Sequence, residues 1–162
     1  MPERVPVEST TVRRRITQIV SGDNDGLGKL QELADTLREL ISHYNWFGFY
    51  ITLPGTRTLV LGPFSGEPTE HTQIPFGSGI CGQAAERAVS FIVPDVSRES
   101  NYLACSIKVK SEIVVPILRD GDVIGEIDID SHRRDAFSDE DRSFLEALAR
   151  EVEPLIPRDF PD

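Results

Sequence analysis

The stretch Cys105–Ser131, CSIKVKSEIVVPILRDGDVIGEIDIDS, constrains the fold more than any other part of this chain. Two strand-like runs flank Asp120-Gly121, a short-range hairpin signal. Side chains in a strand alternate between faces, so each run sorts by parity. Ile113, Val115 and Ile117 share one face, and Glu112, Val114 and Pro116 share the other. In the second run Ile127 and Ile129 point one way while Glu126, Asp128 and Asp130 point the other. One sheet face is therefore apolar, and the opposite face carries four carboxylates with Cys105 just upstream. Antiparallel sheets commonly leave one face in water, which makes a solvated acidic surface the first reading. Like charges two apart along a strand repel, however, and nothing basic alternates with these. A cationic ligand, or a proton shared among the acids, relieves that repulsion.

The remaining elements surround this hairpin. Residues 10–21 and 24–44 read as helices, the second with Leu30, Leu33, Leu37, Leu40 and Ile41 on one stripe. The run Asn45–Ile51 is a strand by aromatic content: Phe47, Phe49 and Ile51 share one face, while Trp46, Gly48 and Tyr50 share the other. Its second face offers an indole and a phenol around a gap, and is either ordinary buried sheet or the wall of a ligand pocket. Pro54-Gly55 turns the chain into a second strand, Thr58–Leu61, and Gly62–Thr72 reads as loop. His71, in that loop, reads as a surface residue. Ser90–Val96 is another short strand, and Ser97–Ala104 is polar and irregular. Ser138 caps the last helix with Asp141 completing the capping pattern, and the acids there are structural.

Gly77-Ser78-Gly79-Ile80-Cys81-Gly82 matches the dinucleotide-binding glycine pattern literally. The strand before it is short, the helix after it (about Ile80–Ala88) is barely two turns, and Asp95 follows too soon, so dinucleotide binding is not expected. What the glycines supply is close backbone approach at a helix start. A helix N-terminus favours thiolate, so Cys81 in the first turn is expected either to have a lowered pKa or to be a small packed residue. Cys105, on a loop beside the acidic strand, reads as functional.

Composition removes whole classes of function. A formal net charge of −10 opposes nucleic acid, since phosphate contacts need clustered Lys and Arg. No apolar run approaches the roughly 20 residues of a membrane span, and the N-terminus lacks a secretory apolar stretch, so the expected location is the cytoplasm. There, Cys81 and Cys105 are inert core residues or a redox pair rather than a structural disulfide. Without a nearby histidine pattern they do not make a zinc site, and no metal or cofactor is expected.

Helices, a meander of short strands and a closing helix predict an α/β sandwich of the α+β type. Its central antiparallel sheet should have about five or six strands, with helices on one face and a loop-covered pocket on the other. The expected organisation is a helical extension over 1–22, one domain over 23–156 and a tail over 157–162. From about Leu30 to Val152 the chain resembles a GAF domain, and more closely the free methionine-(R)-sulfoxide reductase family. That resemblance rests on Asn45–Tyr50, Leu61–Phe64, Gly77–Gly82, Asp95-Val96, Cys105, Ser111–Pro116 and Gly125–Ser131, in order and with matching spacing.

What the resemblance implies is specific. Trp46 and Tyr50 fall on the family's substrate-enclosing aromatics, and Glu112, Asp128 and Asp130 on its pocket acids. Cys105 falls on the catalytic cysteine and Cys81 on another family cysteine. Many members carry a third cysteine where this chain has His71. Either Cys81 resolves the oxidised nucleophile, or an external thiol reduces it directly, or activity is impaired. The implied chemistry is attack by the Cys105 thiolate on the sulfoxide sulfur, with Glu112 protonating the oxygen. A sulfenic acid then forms, and a disulfide with Cys81 is reduced by thioredoxin or a similar dithiol. Free methionine sulfoxide is the implied substrate, and a homodimer through the terminal helices is compatible with it. The rival reading is a non-catalytic GAF module that binds a small molecule and signals. A purely structural dimerisation domain ranks third, because it leaves the pocket residues without a role.

Overall fold

The computed structural model describes residues 6–99 and 108–160. Its strands are β1 (Trp46–Thr52), β2 (Thr58–Ser65), β3 (Gln73–Pro75), β4 (Phe91–Val93), β5 (Ser111–Arg119) and β6 (Asp122–Ser131). Its helices are α1 (Thr10–Val20), α2 (Gly26–Leu40), α3 (Gly79–Arg87) and α4 (Asp139–Val152). The strands form one antiparallel sheet in the order β3-β2-β1-β6-β5-β4. The β5–β6 hairpin turns on Asp120 and Gly121 at φ of 53° and 86°, the two positive angles that a two-residue hairpin matched to strand twist requires. Ile113 then lies opposite Ile129, and Val115 opposite Ile127.

Parity in β1, β5 and β6 builds one apolar layer. Phe47, Phe49, Ile51, Ile113, Val115, Ile117, Ile127 and Ile129 pack against α1, α2 and α4 through Val12, Ile16, Leu30, Leu33, Leu37, Leu145, Leu148 and Val152. Helix α1 is thus continuous with the main core. The opposite face of the sheet carries a second apolar cluster, in which Ile80, Cys81, Ala84 and Ala85 of α3 meet Trp46, Tyr50, Leu59, Ile74 and Val114. No helix among the described residues is long and apolar enough to cross a membrane.

Two boundaries differ from the sequence expectation. Helix α2 stops at Leu40 instead of running to 44: Ile41 takes extended angles (φ −106°, ψ 107°). The chain then turns so that the Tyr44 hydroxyl donates to Asp141 Oδ1 at 2.8 Å, a tertiary contact that overrides helical propensity. Gly62–Ser65 belong to β2 rather than to a loop. Gly48 pairs with Phe64 and Tyr50 with Leu61, so Gly62 and Pro63 together oppose Phe49 in a bulge. A bulge is where a strand tolerates proline, because the extra residue needs no ladder hydrogen bond.

At α4 the Ser138 backbone N–H donates to Asp141 Oδ2 at 2.9 Å, as the capping pattern predicts. His43 Nε2 lies 2.9 Å from Asp141 Oδ1. Burial pushes the Asp141 carboxyl up, but its hydrogen bonds to His43, the Ser138 backbone and Tyr44 hold it below the usual range. The acids of this helix tie α4 to the β1 entry and are structural.

Candidate active site

Strand pairing arranges the acids in rows across the sheet. On β6, Asp130 lies between Trp46 of β1 and Glu112 of β5. Asp128 lies between Gly48 and Val114, and Glu126 between Tyr50 and Pro116. The face is not wet, contrary to the first reading of the sequence: Glu112 is 4% exposed, Glu126 0%, and Asp128 and Asp130 1% each. Helix α3 and its apolar neighbours cover it, contacts that join segments far apart in the chain.

Helix α3 brings Cys81 onto this face, with its Sγ donating to Asp128 Oδ2 at 3.3 Å. The helix sits this close because residue 82 is glycine; a Cβ there would lie 2.5 Å from the Pro75 carbonyl oxygen. The glycine motif therefore serves backbone packing. Cys81 Sγ and one oxygen each of Glu112 and Asp128 lie within 4.8 Å of one another, all buried.

The electrostatics follow from burial. Desolvation, then the charges of Asp128, Glu112 and Glu126, raise the Cys81 pKa well above its ordinary value. Of the two readings of Cys81, this removes the thiol activated by the helix N-terminus and leaves the small packed residue: burial among carboxylates outweighs the helix dipole, and Cys81 is a protonated thiol. Desolvation and then Asp128 raise Glu126 well above the carboxylate range, which the adjacent Cys81 thiol offsets only in part. Desolvation also raises Asp128, against the opposing hydrogen bonds of Glu112 and Cys81. Asp128 Oδ1 and both oxygens of Glu126 have no hydrogen-bond partner among the described residues.

The aromatics divide between two cavities. Tyr50, Cys81, Glu112 and Asp128 line one of about 10 Å³, together with His71, Ile74 and Ile80. The Tyr50 hydroxyl reaches across to donate to the His71 carbonyl at 2.8 Å. Trp46 and Asp130 line another, of about 350 Å³, with Arg38, Asn45, Glu67 and His132 among its walls. The gap that Gly48 opens between Trp46 and Tyr50 is filled by the indole itself; a Cβ at 48 would lie 2.3 Å from the Trp46 ring. That ring stacks on Phe64 at 5.5 Å, and its Nε1 donates to the Glu67 carbonyl at 2.8 Å. Glu112 on the wall of the first cavity pairs with Asp130 on the wall of the second in the β5–β6 ladder. Cys105 lies outside the described residues.

Sequence reasoning placed Glu126 on the right face but gave it no role, and it set His71 aside as a surface residue. The signal for Glu126 was its strand parity with Asp128 and Asp130. For His71 the signal was its place at the family's third cysteine, which the resemblance supplied; the long β2–β3 connection hides where the residue lands.

Residues 30–156 match the family model described as a GAF domain. The Saccharomyces cerevisiae protein named free methionine-R-sulfoxide reductase is 44% identical over 115 residues, covering 70% of this chain and 63% of that one. The Dictyostelium discoideum GAF domain-containing protein A is 35% identical over 136 residues, 84% of each chain. The X-ray structure of the Neisseria meningitidis free methionine-R-sulfoxide reductase in complex with its substrate is similar with a TM-score of 0.82 at 36% identity. That match covers 91% of this chain and 89% of that one.

Proposed function

The chain belongs to the GAF domain family, and we propose that it reduces free L-methionine-(R)-sulfoxide to methionine. The observation that carries this reading is the buried row Glu112, Asp128 and Asp130 set against a buried thiol, Cys81. Gathering several carboxylates in an apolar interior is costly, and a ligand with a free α-ammonium group offsets that cost. The 44% identity to an enzyme named for this activity supports the same choice.

In this proposal the substrate enters the cavity lined by Trp46 and Asp130, whose size suits a small ligand. Its ammonium group lies among Asp128, Asp130 and Glu112, and its S-methyl group lies against Trp46 and Tyr50. The smaller cavity, with Cys81 on its wall, has room for about one water, so its walls part when the substrate reaches it. The Cys105 thiolate attacks the sulfoxide sulfur while Glu112 gives a proton to the oxygen. The oxygen passes to the Cys105 sulfur as the transient bond between the two sulfurs breaks, so methionine leaves and Cys105 keeps the oxygen as a sulfenic acid. The Cys81 thiol, which donates to Asp128 Oδ2, then attacks the Cys105 sulfur, and its proton passes by way of that carboxyl to the departing sulfenic hydroxyl. Water departs, and the disulfide is reduced by thioredoxin or a similar dithiol.

The test is thioredoxin-coupled NADPH consumption with the purified protein and free L-methionine-(R)-sulfoxide, with the S epimer and a blocked peptide as controls. Turnover on the free R epimer alone is expected. No turnover with thioredoxin or dithiothreitol, in a folded protein, refutes the reading. Turnover with dithiothreitol only removes the Cys81 relay and leaves the reductase.

A further inference from the structure

We propose that the cavity beneath Tyr50 is also a site for a borderline divalent metal ion, with Zn2+ the best match. Its ligands would be Cys81, Glu112 and Asp128, with water as the fourth donor. Three of the residues lining this cavity of about 10 Å³ carry the thiolate and carboxylate donors that zinc takes. The triad atoms already lie within 4.8 Å of one another. Zinc bonds of roughly 2.0–2.3 Å bring such atoms to about 3.3–3.8 Å apart, so the triad closes with side-chain shifts of about 1 Å.

A second observation points to a cation independently of that geometry. Asp128 Oδ1 and both Glu126 oxygens are buried with no hydrogen-bond partner among the described residues. Glu126, 0% exposed, is set against the Cys81 thiol and Asp128. Buried carboxyls left in this way need a proton or a cation. The donor set selects the cation: a thiolate is too soft for magnesium or calcium, and calcium needs six or more oxygens. Binding converts the Cys81 thiol to a metal-bound thiolate and releases its proton to solvent, so apparent affinity rises with pH. The ion would occupy the atoms that the reductase reading assigns to the substrate ammonium and to the relay. On that reading, and only there, the loaded protein does not turn over.

The test is titration of the reduced, metal-free, full-length protein with Co2+, followed by displacement with Zn2+. Expected are one equivalent bound, a visible spectrum of tetrahedral cobalt and a sulfur-to-cobalt charge-transfer band that Zn2+ abolishes. Cys81→Ser should lose the charge-transfer band, and Cys105→Ser should keep it. Asp128→Asn, nearly isosteric, should weaken binding by more than about tenfold, as even outer-shell changes commonly do. If Cys81→Ser fails to fold, the nearly isosteric Asp128→Asn still reports on the site. Absence of the band in the parent overturns the site, as does a band that survives Cys81→Ser but not Cys105→Ser. Cobalt binding without reductase activity refutes the enzyme reading alone; turnover without cobalt binding refutes the metal site alone.

Discussion

Replacing Glu126 with glutamine asks whether the acid face is buried and neutral, without reference to any activity. The Glu126 carboxyl is 0% exposed, and neither of its oxygens has a hydrogen-bond partner among the described residues. Burial, then Asp128, raises its pKa well above the ordinary value. In the unfolded chain the group ionises at about pH 4.3. Above that pH the folded protein holds a proton that the unfolded chain releases. Stability therefore falls as pH rises, by up to about 1.4 kcal/mol per pH unit, until the folded-state pKa is passed. Below the unfolded pKa both states are protonated and the penalty vanishes. Glu126→Gln keeps the shape and removes the titration, so its advantage over the parent should be smallest near about pH 4 and grow steadily towards neutrality. Glu126→Leu should gain further, since an unpartnered buried polar group costs about 1–3 kcal/mol. Urea unfolding across this pH range measures the difference, provided the m value is unchanged. In a chain of this size each kilocalorie moves the Tm by roughly 2–4 °C. A difference that is flat with pH, or a Glu126→Gln variant less stable than the parent at neutral pH, would show Glu126 to be charged and paired, and the reasoning fails.

Three further substitutions test the site and its support. Cys105→Ser should abolish reductase turnover while leaving urea unfolding unchanged; normal turnover removes Cys105 as nucleophile. Asp130→Asn should raise KM for the free sulfoxide by about tenfold or more, the worth of one hydrogen bond to a charged group, with a smaller effect on kcat. An unchanged KM means Asp130 does not meet the substrate. Gly82→Ala places a Cβ 2.5 Å from the Pro75 carbonyl oxygen, and should lower stability by about 1–3 kcal/mol as overpacking does. Thermal unfolding checks this, and an unchanged Tm would mean that α3 lifts from β3 without penalty.

Local chemistry was legible wherever the determinant lay within a few residues. Asp120-Gly121 announced the hairpin and takes the two positive φ angles it requires. Parity sorted β5 and β6 onto the correct faces, since a period of two survives any tertiary context. Ser138 and Asp141 marked the start of α4. What was not legible depended on distant packing. Parity alone made a wet surface the first reading of the acids, and only the family resemblance moved them into a pocket, because nothing between 105 and 131 shows that residues 79–87 lie over them. Cys81 was left open between a thiol activated by its helix and a small packed residue, because the Asp128, Glu112 and Glu126 that surround it are supplied by strands well downstream. Pro63 read as loop because the bulge that admits it is a property of β1 and β2 together.

The burial of these acids gives the ligand-free fold and its ligands opposite responses to pH. The fold needs protons on Glu126 and Asp128, whose pKa values burial raises, so its stability declines as pH rises above the unfolded carboxylate values. A bound ammonium group or metal ion needs those protons gone, so either ligand binds more tightly over the same rise. Cys81 follows the same rule, because the carboxylates that keep its thiol protonated are the ones a cation would neutralise. The acid face is thus stable as a neutral, proton-bearing core, and either proposed cation has to compete with those protons. A thiol held in such a core stays protonated, and so is by itself a poor nucleophile.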